Sequence, residues 1–315
     1  MPLIDSVRRL VLVAPVLALA AGIGCGDGGA AGPGGGSCTT AAFCVVTPPP
    51  TPITPGDTFS AFWGTSDADI WAAGKQGLLS HWDGHAWTAP TPVVGDNMLG
   101  VWGRARDDFW AVGEHGAALH FDGQSWTANS PGVTDNLPCI WGTAANDIWV
   151  GALAAVERWD GSTWMRSGIG SANPVLGVWA ATSSEGWAIG GGGFARHFVG
   201  GSWQSTTTGV SVGLFGISGS AANDVWAVGA QSTVVHWDGT SWTPITTGAP
   251  RETQAVWAAT ADDVWIVGLG GLVMHWDGQT WSDLSIAGGP DLAAIWRSPQ
   301  GSLWALALDG RLLRN

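Results

Sequence analysis

Short hydrophobic segments alternate with turn-forming residues along most of the chain. In residues 223–242, NDVWAVGAQSTVVHWDGTSW, aliphatic and aromatic residues are bounded by Gly, Asn, Asp and Ser. Runs of this length and composition predict β-strands. No segment has a convincing helical period over about 11 residues, so the pattern predicts an all-β protein.

The same pattern returns about every 39 residues. If the Trp of each WG or WA dipeptide is the origin, the units begin at Trp63, Trp102, Trp141, Trp179, Ser218, Trp257 and Trp296. Another Trp follows eight residues after each origin, and all 23 Trp residues of the chain occupy positions of the repeat. The sequence therefore predicts seven copies of one structural unit.

Each unit reads as four short strands, which we name a to d. GVWG is typical of strand a, DDVWIVG of strand b and GLVMHWDG of strand c, while strand d opens at QTWSDL. The Asp-Gly pair between strands c and d predicts a tight hairpin turn, because Gly tolerates a positive φ. A sheet with two apolar faces cannot bury them alone, so seven copies stacked radially predict a β-propeller.

On these residues the chain resembles the WD40/YVTN/BNR-like β-propeller superfamily, and especially Trp-rich propeller lipoproteins of bacterial surfaces. The resemblance covers residues 45–315 and implies a seven-bladed propeller of four-stranded antiparallel blades. It is specific for the fold and only a weak guide to activity, because neither the GH...WD arrangement of WD40 repeats nor the Asp-box spacing of sialidases is reproduced. In WDG, Gly directly follows Asp.

The last unit is incomplete. It ends at Asn315, before its strand d. Pro48 precedes Trp63 by the same interval that separates Trp87 from Trp102, so the segment CVVTPPP falls at the register of the missing strand. Proline is tolerated on an outermost strand. We therefore predict that an N-terminal strand closes the last blade.

The first 25 residues have the features of an export signal. Arg8 and Arg9 precede an apolar run, residues 10–23, that is too short to span a bilayer comfortably. AGIGC, ending at Cys25, resembles the lipobox of bacterial lipoproteins, although Gly22 stands where Leu is usual. The resemblance implies that Cys25 is lipidated and anchors an outer-membrane or cell-surface lipoprotein. Cleavage after Ala20 would instead give a soluble secreted or periplasmic protein.

Residues 26–44 are rich in Gly and are predicted to be a flexible tether. Cys38 and Cys44 follow the most Gly-rich part. In an oxidising compartment they could form a disulfide, and two free thiols are the alternative. Cys139 occupies a position where the other units have Ala or Gly, and we interpret it as a small buried hydrophobic residue.

Composition narrows the classes of function. The formal net charge of −13 argues against a nucleic-acid partner and against a polybasic membrane patch, so any membrane association would depend on the lipid. The absence of Tyr excludes a sialidase mechanism with a Tyr nucleophile. No Ser-His-Asp, nucleotide-binding or zinc-binding motif is present, so no cofactor is expected. We expect a monomer.

Two polar positions of the repeat are predicted to be structural. His81, His120, His197, His236 and His275 share one site on strand c, and acidic residues from Asp69 to Asp263 share one site in the a–b turn. Successive blades separate these His residues too widely for shared metal ligation. We interpret them as hydrogen-bonding partners of the turn carboxylates or of backbone carbonyls.

The two rims of the predicted propeller differ in sequence. The a–b and c–d turns, such as AAND and WDG, form a constant rim. The b–c turns (residues 74–77, 113–116, 190–193 and 229–232) and the d–a loops (residues 89–98, 128–137 and 248–254) form a variable rim. Ligand specificity usually resides in variable loops on a rigid scaffold.

The variable rim supplies the candidate binding residues. Lys75, Gln76, Glu114 and His115 lie in its b–c turns. The polar residues that precede strand a are Asp57, Asp96, Asn97, Asp135, Asn136, Asn173, Arg251, Glu252 and Asp291. Carboxylates and amides suit hydroxyl recognition or a hard cation such as Ca²⁺.

Three functions remain open at the level of sequence. The first is a non-catalytic recognition module that binds a glycan or a surface protein on the variable rim. The second is a secreted glycosidase or lyase that uses carboxylates of that rim. The third is a scaffold within a secreted assembly.

Overall fold

A computed structural model describes residues 38–39, 43–45, 59–88 and 94–315, which lie within the compact unit Pro33–Asn315. They form seven β-sheets, the blades of a seven-bladed propeller. The predicted export signal, Cys25, most of the tether and Asp57 lie outside the described residues. Within the described part, no helix is both long and apolar enough to cross a bilayer.

The N-terminal part of the sheet structure is a hairpin followed by three blades. The hairpin contains β1 (Cys38–Thr39) and β2 (Phe43–Val45). Blade 1 contains β3 (Phe59–Ser66), β4 (Asp69–Gly74) and β5 (Leu79–Trp82). Blade 2 contains β6 (Met98–Ala105), β7 (Asp108–Gly113), β8 (Ala118–Phe121) and β9 (Trp126–Ala128). Blade 3 contains β10 (Cys139–Ala144), β11 (Asp147–Gly151), β12 (Ala155–Trp159) and β13 (Trp164–Gly168).

The remaining strands form blades 4 to 7. Blade 4 contains β14 (Val175–Thr182), β15 (Glu185–Gly190), β16 (Ala195–Val199) and β17 (Ser202–Thr206). Blade 5 contains β18 (Leu214–Ala221), β19 (Asp224–Gly229), β20 (Thr233–Trp237) and β21 (Trp242–Pro244). Blade 6 contains β22 (Thr253–Thr260), β23 (Asp263–Gly268), β24 (Val273–Trp276) and β25 (Trp281–Asp283). Blade 7 contains β26 (Leu292–Arg297), β27 (Leu303–Ala307) and β28 (Leu312–Arg314).

Neighbouring strands are antiparallel and follow the predicted order a, b, c and d. Blade 1 has three named strands, and an isolated bridge pairs Trp82 with Trp87 at the position of its fourth. Residues 89–93 lie outside the described residues. Short 3-10 segments lie at four b–c turns: Lys75–Gly77, Glu114–Gly116, Gly191–Gly193 and Leu269–Gly271.

The N-terminal hairpin completes blade 7, which confirms the predicted closure. Strand β2 pairs with β28, so that Cys44 is opposite Arg314 and Val45 is opposite Leu313. Strand β1 adds a fifth strand on the outside of the same sheet. The first strand among the described residues begins at Cys38, inside the segment assigned to the tether from sequence. The predicted register from Pro48 lies outside the described residues.

Trp residues of strand b hold adjacent blades together. The ring of Trp110 in blade 2 lies 5.8 Å from that of Trp159 and 5.6 Å from that of Trp164, both in blade 3. Trp71 makes the same contacts with Phe121 and Trp126 of the next blade. Because large aromatic rings contribute much of the buried apolar area, this packing explains why Trp recurs in each unit.

Trp residues of strand a meet at the propeller centre. The Trp63 ring lies 5.5 Å from that of Trp141 and 5.3 Å from that of Trp257, although these residues belong to different blades. In blades 1, 3 and 5 the residue that follows this position is Gly, and an indole of the preceding blade lies against it. A Cβ added to Gly142 would meet the Trp102 ring at 2.6 Å. Six of the seven units have Gly or Ala there, and the exception is Arg297.

Candidate functional site

The b–c turns of the variable rim hold several non-glycine residues in the left-handed backbone region. The φ angles are 54° at Gln76, 52° at His115, 59° at Ala154, 59° at Gln231 and 57° at Ser232. This conformation is unfavourable for most residues with a Cβ. The surrounding structure must therefore stabilise these turns, and the d–a loops supply that stabilisation.

Asn97 joins the b–c turns of blades 1 and 2. Its Oδ1 accepts a hydrogen bond from the backbone N–H of Gln76 at 3.0 Å, and its Nδ2 donates to Oε2 of Glu114 at 2.9 Å. Asn136 repeats the first contact one blade further on, where its Oδ1 accepts from the N–H of His115 at 3.2 Å. The two amides therefore fix the conformation of strained turns.

The same bracing recurs in the later blades. Oδ1 of Asp291 accepts from the N–H of Gly270 at 2.6 Å, and Arg251 donates to the carbonyl oxygen of Gly270 at 3.0 Å. Nδ2 of Asn173 donates to the carbonyl oxygen of Gly191 at 3.0 Å. Glu252 contributes its backbone carbonyl, which accepts from the N–H of Leu269. These candidate residues thus lie beside the b–c turns, distributed around the rim.

Ion pairs engage the remaining candidate carboxylates. Oδ1 of Asp96 lies 2.8 Å from Nδ1 of His115, whose side chain is 70% exposed. Asp135 accepts from Arg166 at 2.9 Å, and Arg166 also pairs with Glu157. Burial raises the pKa of Glu157, and the charge of Arg166 partly opposes that increase. Among the described residues, no cluster of three or more His, Cys, Asp or Glu residues is arranged to hold a metal ion.

The constant rim consists of turns that are satisfied internally. In the c–d turn of blade 5, Oδ1 of Asp238 accepts from the N–H groups of Thr240 and Ser241. Hydrogen bonds from the Thr240 hydroxyl and from these amides lower the pKa of Asp238 to about 2. The following Gly239 has a φ of 95°, and an added Cβ would meet Asn223 at 2.8 Å. Local backbone geometry therefore accounts for the repeated WDG.

The strand-c His residues have the predicted partners. Nε2 of His236 lies 2.7 Å from Oδ1 of Asp224, and its ring stacks on Trp226 with 4.0 Å between centroids. His81, His120, His197 and His275 pair in the same way with the acidic residue of their own blade. Arg158 replaces His in blade 3 and pairs with Asp147. Each of these contacts lies within a single blade, in agreement with the structural interpretation of the His residues.

Cys139 is a free thiol that is partly covered by its neighbours. Its Sγ lies 3.8 Å from the carbonyl oxygen of Val175, and a Cβ on Gly151 would meet the sulfur at 2.4 Å. Burial raises the pKa of the Cys139 thiol to about 12. The protonated thiol therefore behaves as a packing group.

Two pockets open on the constant rim, and sequence reasoning missed both. The larger, of about 520 Å³, lies where strands a of blades 1, 2, 6 and 7 end; its lining includes Trp63, Trp257, Trp296, Arg104, Arg297 and Asp263. The smaller, of about 460 Å³, lies between blades 2 and 3 and shares Arg104. The sequence does contain a signal for these pockets: Arg104 and Arg297 stand at repeat positions where the other units have small or hydroxyl residues.

No protein-family model matches the sequence, and no curated protein is significantly similar to it. Solved structures match the fold. A structure of YCF48 bound to a D1 peptide is 20% identical, with 82% of this chain and 93% of that chain covered and a TM-score of 0.67. The RRP9 WD40 repeats are 12% identical, with 87% and 97% covered and a TM-score of 0.72.

An enzyme has the same architecture. Streptogramin B lyase is 14% identical, with 82% of this chain and 92% of that chain covered and a TM-score of 0.70. Identities at this level show the fold alone, and one fold can carry unrelated functions. The chain therefore has a seven-bladed β-propeller fold that is similar to these solved structures.

Proposed function

We propose that this protein is a non-catalytic recognition module that binds a partner protein on its variable rim. The observation that carries the proposal is the set of braced, left-handed b–c turns. Gln76, His115 and Gln231 adopt positive φ angles in exposed turns, and hydrogen bonds from the d–a loops hold the first two. Non-glycine residues in strained backbone are concentrated at functional sites.

A protein partner suits the form of this surface. The candidate side chains are spread over several blades, and both pockets described above open on the constant rim. Braced turns reduce the entropy lost on binding, so a broad surface of this kind can be preorganised for a protein. The peptide-bound YCF48 structure, which shares the fold, supports the same choice.

The alternative of a glycosidase or lyase receives less support from the rim. Most glycosidases need a pair of carboxyl groups free to act on the substrate. Asp135 is paired with Arg166, and Asp291 accepts the amide of Gly270. These carboxylates already serve as structural acceptors.

Side-chain removal at the left-handed positions tests the proposal. Peptides selected against the purified protein from a displayed random library would be measured against Gln76→Gly/His115→Gly/Gln231→Gly. Gly adopts positive φ readily, so this variant should keep its melting temperature and lose at least about tenfold in affinity. Gln124→Ala/Gln279→Ala, which changes exposed side chains of the constant rim, is the matched control and should bind normally.

Two results would refute the binding surface. One is that the triple variant binds the selected peptides as tightly as the unaltered protein. The other is that only the constant-rim control loses affinity. A parallel glycan array, with and without Ca²⁺, tests the ligand class: binding to a glycan that the triple variant loses would replace the protein partner with a glycan.

The proposal includes attachment to a membrane surface through a lipid on Cys25. The apolar run that ends at AGIGC supports this arrangement, and the Gly-rich segment after it would give the propeller reach. Mass spectrometry of the mature N-terminus tests it. A lipid-bearing peptide beginning at Cys25 is expected, whereas an unmodified peptide beginning at Ala21 would exclude the anchor.

A further inference from the structure

Two Arg residues that depart from the repeat line the larger pocket of the constant rim. Arg297 stands where the other six units have Gly or Ala, and Arg104 stands where blades 1, 3 and 5 have Thr65, Thr143 and Ser220. A repeated scaffold fixes each of these positions through packing. Departures that bring charged side chains from blades 2 and 7 to one cavity point to a role in that cavity, because local rules are most often broken at functional sites.

Arg104 keeps the structural hydrogen bond of the residue it replaces and adds further donors. Its Nε donates to Oδ2 of Asp108 at 3.1 Å, as the Thr and Ser hydroxyls do in other blades. Its side chain is 53% exposed. Within the described part of the chain, the two terminal nitrogens have no hydrogen-bond partner. They remain available to a ligand in the pocket.

The rest of the pocket combines aromatic rings with arginine side chains that are paired with carboxylates. The partly exposed rings of Trp63 and Trp257 meet edge to face, with 5.3 Å between centroids. Arg297 forms an ion pair with Asp263, and Arg104 forms one with Asp108. Each positive charge therefore has a negative partner, and the chain as a whole is acidic. An anionic ligand gains little from such a site.

We infer that this pocket binds a neutral pyranose ring. A sugar presents a flat face of C–H groups, which stacks on indole, and a rim of hydroxyls, which accept from the Arg104 guanidinium. The volume of about 520 Å³ falls within the range of small-ligand pockets, roughly 300–1,000 Å³. The inference is independent of the proposed function, because the pocket lies on the opposite rim.

Calorimetric titration of the full chain with cellobiose, maltose and methyl β-galactoside tests the inference, with glucuronate as the anionic counterpart. At least one neutral sugar should bind with a millimolar or lower Kd. Arg104→Thr restores the residue of blades 1 and 3, and Arg297→Gly restores the small residue of the repeat. Each should weaken binding of that sugar about tenfold or more. Arg104→Thr removes charged hydrogen-bond donors, and Arg297→Gly removes a lining side chain and leaves Asp263 without this ion-pair partner. Arg311→Thr on the variable rim is the matched control.

Saturation-transfer NMR on the unaltered protein provides a second measurement that does not depend on folding of the variants. Transfer to the C–H protons of the sugar is expected if the ring stacks on indole. The inference is overturned if no neutral sugar binds, if glucuronate binds more tightly than its neutral counterparts, or if the Arg104→Thr and Arg297→Gly proteins bind sugar as the unaltered protein does.

Discussion

His236 shows how one side chain can stabilise a blade at two points. It hydrogen-bonds to the largely buried Asp224 and stacks on Trp226. Burial raises the pKa of Asp224, but hydrogen bonds from His236 and Ser220 outweigh that effect, so the pKa is lowered. His236→Ala would leave Asp224 with fewer partners.

We predict that His236→Ala lowers the free energy of unfolding by about 1–3 kcal/mol, measured by urea denaturation, without changing affinity for a rim ligand. His85→Ala is the control, because His85 is exposed in a c–d turn, and it should leave the urea midpoint unchanged. An unaltered midpoint for His236→Ala, together with lost binding, would assign the residue to function instead.

Gly142 illustrates a constraint that the repeat imposes on a single residue. Its missing Cβ leaves room for the Trp102 ring of the preceding blade, which is largely buried. Gly142→Ala should therefore destabilise the protein by about 1–3 kcal/mol through overpacking. Gly168→Ala is the matched control, because no atom lies within 4 Å of the added Cβ. Equal melting temperatures for the two variants would show that the central Trp cluster adapts freely.

At the scale of elements, the N-terminal hairpin stands out because it closes the ring without belonging to the repeat. Phe43 is buried in the cluster that also contains Leu313 and Ile295. Removal of the hairpin would expose that cluster and leave the edge of β28 unpaired, which also favours aggregation.

We predict that deletion of residues 1–45 lowers the melting temperature by at least about 3 °C, since burial of one Phe side chain contributes about 1.5–3 kcal/mol. Deletion of residues 1–36, which keeps both strands, should have little effect. The closure would be dispensable if both truncated proteins melted at the same temperature as the full chain.

In the hairpin register, Cys38 is opposite Cys44. Peptide mapping without reduction would detect the predicted disulfide between them.

At the scale of the whole molecule, the paired acidic and His residues make stability depend on pH. The hydrogen bond from His120 lowers the pKa of Asp108, and burial lowers the pKa values of His197 and His275. In each case the unfolded chain binds protons more readily than the folded one. Folded-state stability is then lost as pH falls.

The melting temperature should therefore decrease as pH drops below the ordinary His value of 6.5 and decrease further below the ordinary Asp value of 3.8. Differential scanning calorimetry across this range checks the curve. His197→Gln/His275→Gln should flatten its upper part. A melting temperature that stays constant or rises on acidification would contradict the assigned pKa shifts.

Much of the architecture could be predicted from the sequence, because every blade of a propeller packs in the same way and the sequence therefore repeats. Trp spacing predicted the blade count, the truncated last unit predicted closure, and strict register predicted the His–Asp pairs. The side-chain contacts on the two rims were harder to predict from the sequence. Asn97 and Asn136 look like free amides in sequence, yet each hydrogen-bonds to a turn in the preceding blade. The pocket around Arg104 and Arg297 was also missed, because it forms only when the ends of the chain meet around the ring.

The most direct test of the recognition account is amide hydrogen exchange of the full chain with and without a selected peptide. Binding should slow exchange in the b–c turns at residues 74–77, 113–116 and 229–232 and in the d–a loops beside them, while the WDG turns exchange at unchanged rates. Protection confined to the WDG turns and the a–b turns would contradict it.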